Sequence, residues 1–236
     1  MSAENRDPRE PDHFQRFSPE FRVQHIVLFV STMALILTGI PLWCVGRPEF
    51  TWWTQDGKPF LGSIEAIRLA HRVAAVGLIA VSVYHVYYIL FTREGRREFW
   101  ELLPKPKDFV DVAQNSLYFL GLRKEPPKFG RYSYFEKFDY WAVYWGCVIM
   151  IGTGLVLWFD RYAATRYPWF PYALSRVIHS DEAILAALAL FIWHFYNVHL
   201  NPSIFPGSMS WWHGRISRRD MTEKHPLEYE RLKSQK

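Results

Sequence analysis

Cysteine is scarce in this chain: only Cys44 and Cys147 occur among 236 residues. Each lies in an apolar stretch, which excludes a disulfide framework. There is no Cys-x-x-Cys, so thiolate iron–sulfur and four-cysteine zinc sites lack their ligands. There is no Cys-x-x-Cys-His either, so a haem could not be attached through thioether bonds. Charge is missing locally too. Residues Ile26–Val45, Val73–Phe91, Tyr140–Phe159 and Ala183–Leu200 contain no Asp, Glu, Lys or Arg. What remains is half hydrophobic and 18% aromatic, which rules out a disordered chain.

Each uncharged run has 18 to 20 residues. At about 1.5 Å per residue, a helix of that length crosses the ~30 Å hydrocarbon core of a bilayer. The fold class read from this pattern is all-α, a transmembrane four-helix bundle. Its expected organisation is a polar tail over 1–20, a four-span domain over 21–200 and a basic tail over 201–236. The spans fall at about 24–46, 69–92, 138–160 and 177–200. A further helical segment is expected near 107–121, bracketed by Pro104, Pro106, Pro126 and Pro127 and lying along the membrane surface.

Basic residues set the expected orientation. Of 28 Lys and Arg, four lie in residues 1–22, ten in 93–137 and seven in 201–236. The positive-inside rule puts both termini and the 93–137 loop in the cytoplasm. The net charge of +5 then faces the inner membrane surface, and no nucleic acid is needed to explain it. Trp52, Trp53, Trp169, Trp211 and Trp212 flank the spans as interface anchors. The polar N-terminus and the long first run do not read as a cleavable signal.

A shift of 115 residues overlays the first span on the third. Arg16-Phe17-Ser18 falls on Arg131-Tyr132-Ser133, Thr38-Gly39 on Thr153-Gly154, and Leu42-Trp43 on Leu157-Trp158. In the second and fourth spans, Arg68-x-x-His71 resembles Arg176-x-x-His179, and His85-x-Tyr87 resembles His194-x-Tyr196. Two helix pairs related by a weak internal repeat are expected.

Six of the nine histidines belong to spans or their edges: His25, His71, His85, His179, His194 and His199. An ionisable ring in lipid is costly and points to function. His71 and His85 are 14 residues apart, which puts both on one helix face, roughly 21 Å apart along the axis. His179 and His194 are 15 apart, about 60° out of line. That spacing cannot close one tetrahedral zinc site. It suits two haems stacked across the membrane, each iron between opposed imidazoles. Such haems pass electrons and leave no open iron position. Arg22, Arg68 and Arg176 each precede a histidine by three residues, one turn away, where a guanidinium can pair with a propionate.

In the order and spacing of these motifs the sequence resembles a known family. The motifs are Arg22-x-x-His25, Thr38-Gly39, Arg68-x-x-His71, Tyr132-Ser133, Thr153-Gly154, His179, His194, the run Gly214-Arg-Ile-Ser-Arg-Arg219 and His225-Pro226. The chain is similar, over roughly residues 16–230, to the bacterial b561-like di-haem cytochrome b subunits of respiratory formate dehydrogenases (gamma subunit) and nickel–iron hydrogenases. The resemblance implies two b haems, with His71 and His179 on the iron of the outer one and His25 and His194 on the iron of the inner one. It implies electrons passing between a periplasmic iron–sulfur or multihaem subunit and membrane quinone. The quinone pocket would involve His194, Ser133 and Glu136, with Glu136 or Asp139 supplying the proton. His85 and His199 lie outside that pattern. Internal symmetry would pair His85 with His194, and depth would pair His25 with His199, which opens the alternative of a third haem.

The reading is therefore an electron-transfer subunit in the bacterial inner membrane, in contact with lipid and quinone. It carries no catalytic residues for the substrate oxidised elsewhere in its complex. The alternatives are a stand-alone b561-type oxidoreductase and a haem-free membrane anchor or transporter.

Overall fold

A computed structural model describes residues 12–45, 54–55, 58–59, 63–166, 172–201, 205 and 207–235. Of the expected interface anchors, Trp52, Trp53 and Trp169 lie outside the described residues. In chain order the elements begin with β1 (His13–Gln15), α1 (Pro19–Cys44), β2 (Thr54–Gln55) and β3 (Lys58–Pro59). They continue with α2 (Ile64–Phe91), α3 (Arg93–Leu102), α4 (Pro106–Phe119), α5 (Tyr134–Trp158) and α6 (Asp160–Arg166). The last are α7 (Tyr172–Leu188), α8 (Ser210–His213), β4 (Arg215–Ser217), α9 (Arg218–Lys224) and α10 (Pro226–Ser234). The chain is mostly helical. Helix α7 runs on without a break as π-helical turns at Ala189–His194 and Tyr196–Leu200.

Four helices, Pro19–Cys44, Ile64–Phe91, Tyr134–Trp158 and Tyr172–Leu200, are long and apolar enough to cross a membrane. This is the architecture expected of a four-helix transmembrane bundle. Each helix begins before its uncharged run, because residues such as Glu20, Arg68, Lys137 and Arg176 ride on its first turns.

The chain divides into two compact units. One comprises Val23–Tyr88 and Ala142–Gly207 and carries most of the spanning helices. Small residues bring its helices close. A Cβ on Gly77 of α2 would come within 2.7 Å of the Ser31 hydroxyl on α1, a separation no side chain tolerates. The Arg72 guanidinium lies 5.3 Å from the centre of the Trp158 ring, a cation–π contact between α2 and α5.

The other unit comprises Met1–Arg22, Ile89–Trp141 and Ser208–Lys236. Here β1 pairs antiparallel with β4, His13 opposite Ser217, which ties the N-terminal segment to the C-terminal one. Its core is polar. Glu98 on α3 is buried and accepts hydrogen bonds from Arg131 Nε at 2.7 Å, the Tyr132 hydroxyl at 2.7 Å and Arg97 Nη2 at 2.9 Å. Arg131 also donates to the backbone carbonyl of Arg16 at 2.8 Å. Burial alone would raise the Glu98 carboxyl, but Arg131, Tyr132 and Arg97 hold it below its ordinary value. Burial pushes the Tyr132 hydroxyl upward. His225 Nδ1 lies 2.8 Å from the Gly130 carbonyl, which can only accept, so Nδ1 carries the proton and donates it. Burial, with the Arg16 charge, depresses its pKa.

Helix α4 ends in a Schellman motif. The Leu122 N–H reaches the Leu117 carbonyl at 2.9 Å, and Gly121 takes φ of +74°, a conformation that favours glycine.

Candidate functional site

The spanning helices bring four of the six expected histidines into two facing pairs. His71 of α2 faces His179 of α7, with ring centres 6.4 Å apart. His25 of α1 faces His194, with ring centres 6.5 Å apart. A metal bound about 2.0–2.1 Å from a nitrogen of each of two opposed imidazoles, with about 1.1 Å more to each ring centre, separates the centres by about 6.3 Å. Both pairs therefore have the separation that one metal ion shared by two imidazoles would need. Among the described residues no group of three or more His, Cys, Asp or Glu could hold a metal ion, so a zinc-type site has no ligand set.

The first pair is held by a repeated device. Thr38 and Thr153 each donate their hydroxyl one turn back along their own helices, to the Ala34 carbonyl at 2.6 Å and the Ile149 carbonyl at 2.7 Å. With its proton spent there, each hydroxyl can only accept from the imidazole beside it. His71 Nδ1 and His179 Nδ1 both lie 2.9 Å away. Both rings are thereby fixed with Nδ1 protonated and Nε2 bearing the lone pair, the state a metal ligand needs. The glycine after each threonine makes room for the ring. A Cβ on Gly39 would stand 3.4 Å from His71 Cε1, and one on Gly154 would stand 3.2 Å from His179 Cε1. The Thr-Gly dipeptide was visible as part of the 115-residue repeat, but its role as a histidine cradle was not. The N-caps repeat at the same offset: Ser18 Oγ accepts from the Phe21 N–H at 3.3 Å and Ser133 Oγ from the Glu136 N–H at 3.3 Å.

His194 sits at the end of a π-helical segment. A π turn holds more residues than an α turn, so each residue rotates the helix by less than 100°. The segment between Ala189 and His194 thus takes back part of the 60° offset calculated for a pure α-helix, and both histidines of α7 serve partners on one side. Nothing in the local sequence, which has neither Gly nor Pro there, announces these turns.

His85 and His199 are placed differently. His85 Nδ1 lies 2.9 Å from Gln24 Oε1. The His199 ring packs on Phe195, centre to centre 4.9 Å. The facing partner of His194 is His25, in place of the His85 suggested by internal symmetry.

Of the arginines, Arg68 and Arg176 are exposed, one turn before His71 and His179. Arg22 donates through Nη1 to the backbone carbonyl of Trp212. Ser133 and Glu136 form a capping box at the start of α5: the Ser133 N–H and hydroxyl both donate to Glu136 Oε2, at 2.8 and 2.9 Å. Arg16 Nη2 donates to the other oxygen of Glu136 at 3.1 Å.

Comparison with known proteins follows the same lines. Residues 2–105 match the model of the family described as prokaryotic cytochrome b561. The chain is 22% identical over 186 residues to the formate dehydrogenase cytochrome b556(fdo) subunit of Escherichia coli strain K12. The match covers 78% of this chain and 78% of that subunit. The same subunit of Escherichia coli O157:H7 gives the same identity and coverage. Residues 2–105 thus resemble the prokaryotic cytochrome b561 family, and most of the chain has distant similarity to the formate dehydrogenase cytochrome subunit.

Proposed function

We propose that this chain is a cytochrome b561-type membrane subunit of a respiratory complex, relaying electrons between a redox partner on the outer face and quinone. The observation that carries the reading is the pair of facing histidine couples, 6.4 and 6.5 Å between ring centres. His71 and His179 would hold one haem b, and His25 and His194 a second. A bis-imidazole haem supplies reversible one-electron transfer with no open position for substrate.

The protein's own residues do the rest. The Thr38 and Thr153 hydroxyls hold the His71 and His179 rings in their donor tautomer. Arg68 and Arg176, one turn before those ligands, would pair with propionates. Because His179 and His194 sit 15 residues apart on one helix, the two sites lie roughly 20 Å apart along it. With haem held at both sites, electron transfer between them would move charge across much of the ~30 Å hydrocarbon core. The similarity to a formate dehydrogenase subunit supports an iron–sulfur or multihaem partner outside. The distribution of basic residues supports the bacterial cytoplasmic membrane with both termini inside. Quinone reduction would draw on Ser133 and Glu136 at the start of α5, with Glu136 as the proton source.

The test is haem per polypeptide on purified full-length protein and its variants. Two b haems are expected in the parent. His71→Ala and His179→Ala should each abolish the same spectroscopic component, His25→Ala and His194→Ala the other, and His85→Ala neither. Three haems, or a loss on His85→Ala, would overturn this ligand assignment, and absence of haem would overturn the electron-transfer reading.

A further inference from the structure

Helix α4 is built inside out. Its Asp111 and Asn115 are only 4% and 5% exposed, whereas Phe109 is 74% exposed and Phe119 76%. The polar side is pinned. Lys137 Nζ donates to Asp108 at 2.8 and 2.9 Å, Lys107 Nζ to Asp111 at 2.6 Å, and Asn115 Nδ2 to the Tyr134 hydroxyl at 2.8 Å. These ties leave Phe109, Val110, Leu117 and Leu120 on the opposite side at helical spacing, all exposed, and Leu122 extends the surface past the turn. An exposed apolar face of this kind marks a surface with an apolar occupant.

Three observations identify the occupant. Tyr134 and Lys137, to which α4 is tied, form the first turn of the spanning helix α5, so α4 sits where that helix meets the membrane boundary. The cationic side chains that follow the apolar face, Arg123, Lys124 and Lys128, are exposed, Arg123 using only its Nε on the Glu125 carbonyl, and suit phosphate-bearing headgroups. The Schellman turn at Gly121 fixes Leu120 and Leu122, 72% and 73% exposed, beside those cations. We infer that the face of α4 and its turn, from Phe109 to Leu122, is an anionic-lipid-binding surface, with its side chains in the acyl–headgroup boundary and Arg123, Lys124 and Lys128 on lipid phosphates. The inference is independent of haem content. It turns the 106–122 segment from a connector into a peripheral lipid anchor tied to the start of α5.

The test uses the full chain in nanodiscs, with a nitroxide on Phe119→Cys, or separately on Leu122→Cys, in a Cys44→Ala, Cys147→Ala background. Helicity of the labelled protein checks that it has folded. The expected result is collision with oxygen favoured several-fold over collision with a water-soluble nickel chelate at 119 and 122. The opposite preference is expected at Glu223→Cys on α9, a water-facing control. In nanodiscs of phosphatidylcholine alone, the oxygen preference should fall relative to discs containing phosphatidylglycerol. A label at 119 and 122 as open to the nickel chelate as the one at 223 would overturn the inference in favour of water. Shielding from both reagents would overturn it in favour of a protein partner or a second copy of the chain. Equal behaviour in both lipids would overturn the assignment of the cations to anionic headgroups.

Discussion

Thr153 lies with its hydroxyl oxygen 2.9 Å from His179 Nδ1 while its proton goes to the Ile149 carbonyl 2.7 Å away. The hydroxyl is thus an acceptor toward the ring, and the ring keeps its lone pair on Nε2. Partners of this kind orient a ligand and raise its basicity, and losing one costs about 10–100-fold in metal affinity or activity. Thr153→Val is expected to weaken haem retention by a factor in that range and to raise the midpoint potential of the haem it serves, since a less basic imidazole favours the ferric state less. Thr153→Ser should restore both. Redox titration followed optically, with haem content after gel filtration, reads the two effects. A valine variant indistinguishable from the parent would remove the threonine from the site.

The glycines beside the threonines give a graded comparison. A Cβ on Gly154 would come within 3.2 Å of His179 Cε1, and one on Gly39 only within 3.4 Å of His71 Cε1. The neighbour must give way more at the first position than at the second. Gly154→Ala should therefore disturb the haem spectrum and low-spin resonance more than Gly39→Ala, and a valine at either position should abolish that haem. Equal, negligible effects of both valines would show that the rings have more room than the helix contacts indicate.

Much of this arrangement was legible in the sequence, for reasons that can be named. Absence of charge over a membrane thickness needs no tertiary context, so the four spanning helices could be read directly. The pairing of His71 with His179 and of His25 with His194 followed the family resemblance, whereas the internal repeat alone would have sent His194 to His85. Helix α4, expected near 107–121, occupies Pro106–Phe119. Its inverted burial was not legible, because Asp111 and Asn115 are drawn inward by Lys107 and Tyr134, one partner near in sequence and one distant. The π turns before His194 escaped for a different reason, since backbone register there is set by packing and not by any local breaker. The capping box was within reach: Ser133-x-x-Glu136 ahead of an apolar run is a helix-start signature.

That capping box separates two roles for Glu136. Its carboxylate closes the first turn of α5 through Ser133 and pairs with buried Arg16. Ser133→Ala is expected to cost about 0.5–2 kcal/mol of stability, as loss of a helix cap does. Glu136→Gln keeps an acceptor for the Ser133 N–H but cannot deliver a carboxylic proton. The variant also leaves buried Arg16 without its anion, so a lower melting temperature is expected in either case. If Glu136 protonates quinone, quinone reduction should slow as well, and by more than in Ser133→Ala. An unaltered rate accompanied by a lower melting temperature would leave Glu136 with the structural role alone.

The buried Glu98 cluster makes a prediction about acid stability whose direction follows from its charge. Arg131, Tyr132 and Arg97 hold the Glu98 carboxyl below the usual 4.5 in the folded protein, against the opposing pull of burial. In the unfolded chain it returns to that ordinary value. Between the two values the unfolded chain binds a proton that the folded one refuses, so folding loses stability as pH falls. The contribution is complete above about pH 4.5 and disappears as pH drops through the depressed value. Glu98→Gln removes a titrating group and leaves buried Arg131 with only the longer 3.8 Å pairing to Glu228, a loss of up to about 3–5 kcal/mol at neutral pH by analogy with other buried pairs. Thermal melts in detergent between pH 7 and pH 3 should show the parent declining toward acid. The variant should start lower and decline less steeply over the acid part of the range. Parallel curves would mean that the acid sensitivity of this unit resides in other carboxylates, Glu101 and Asp220 being the next that basic neighbours hold below their ordinary values.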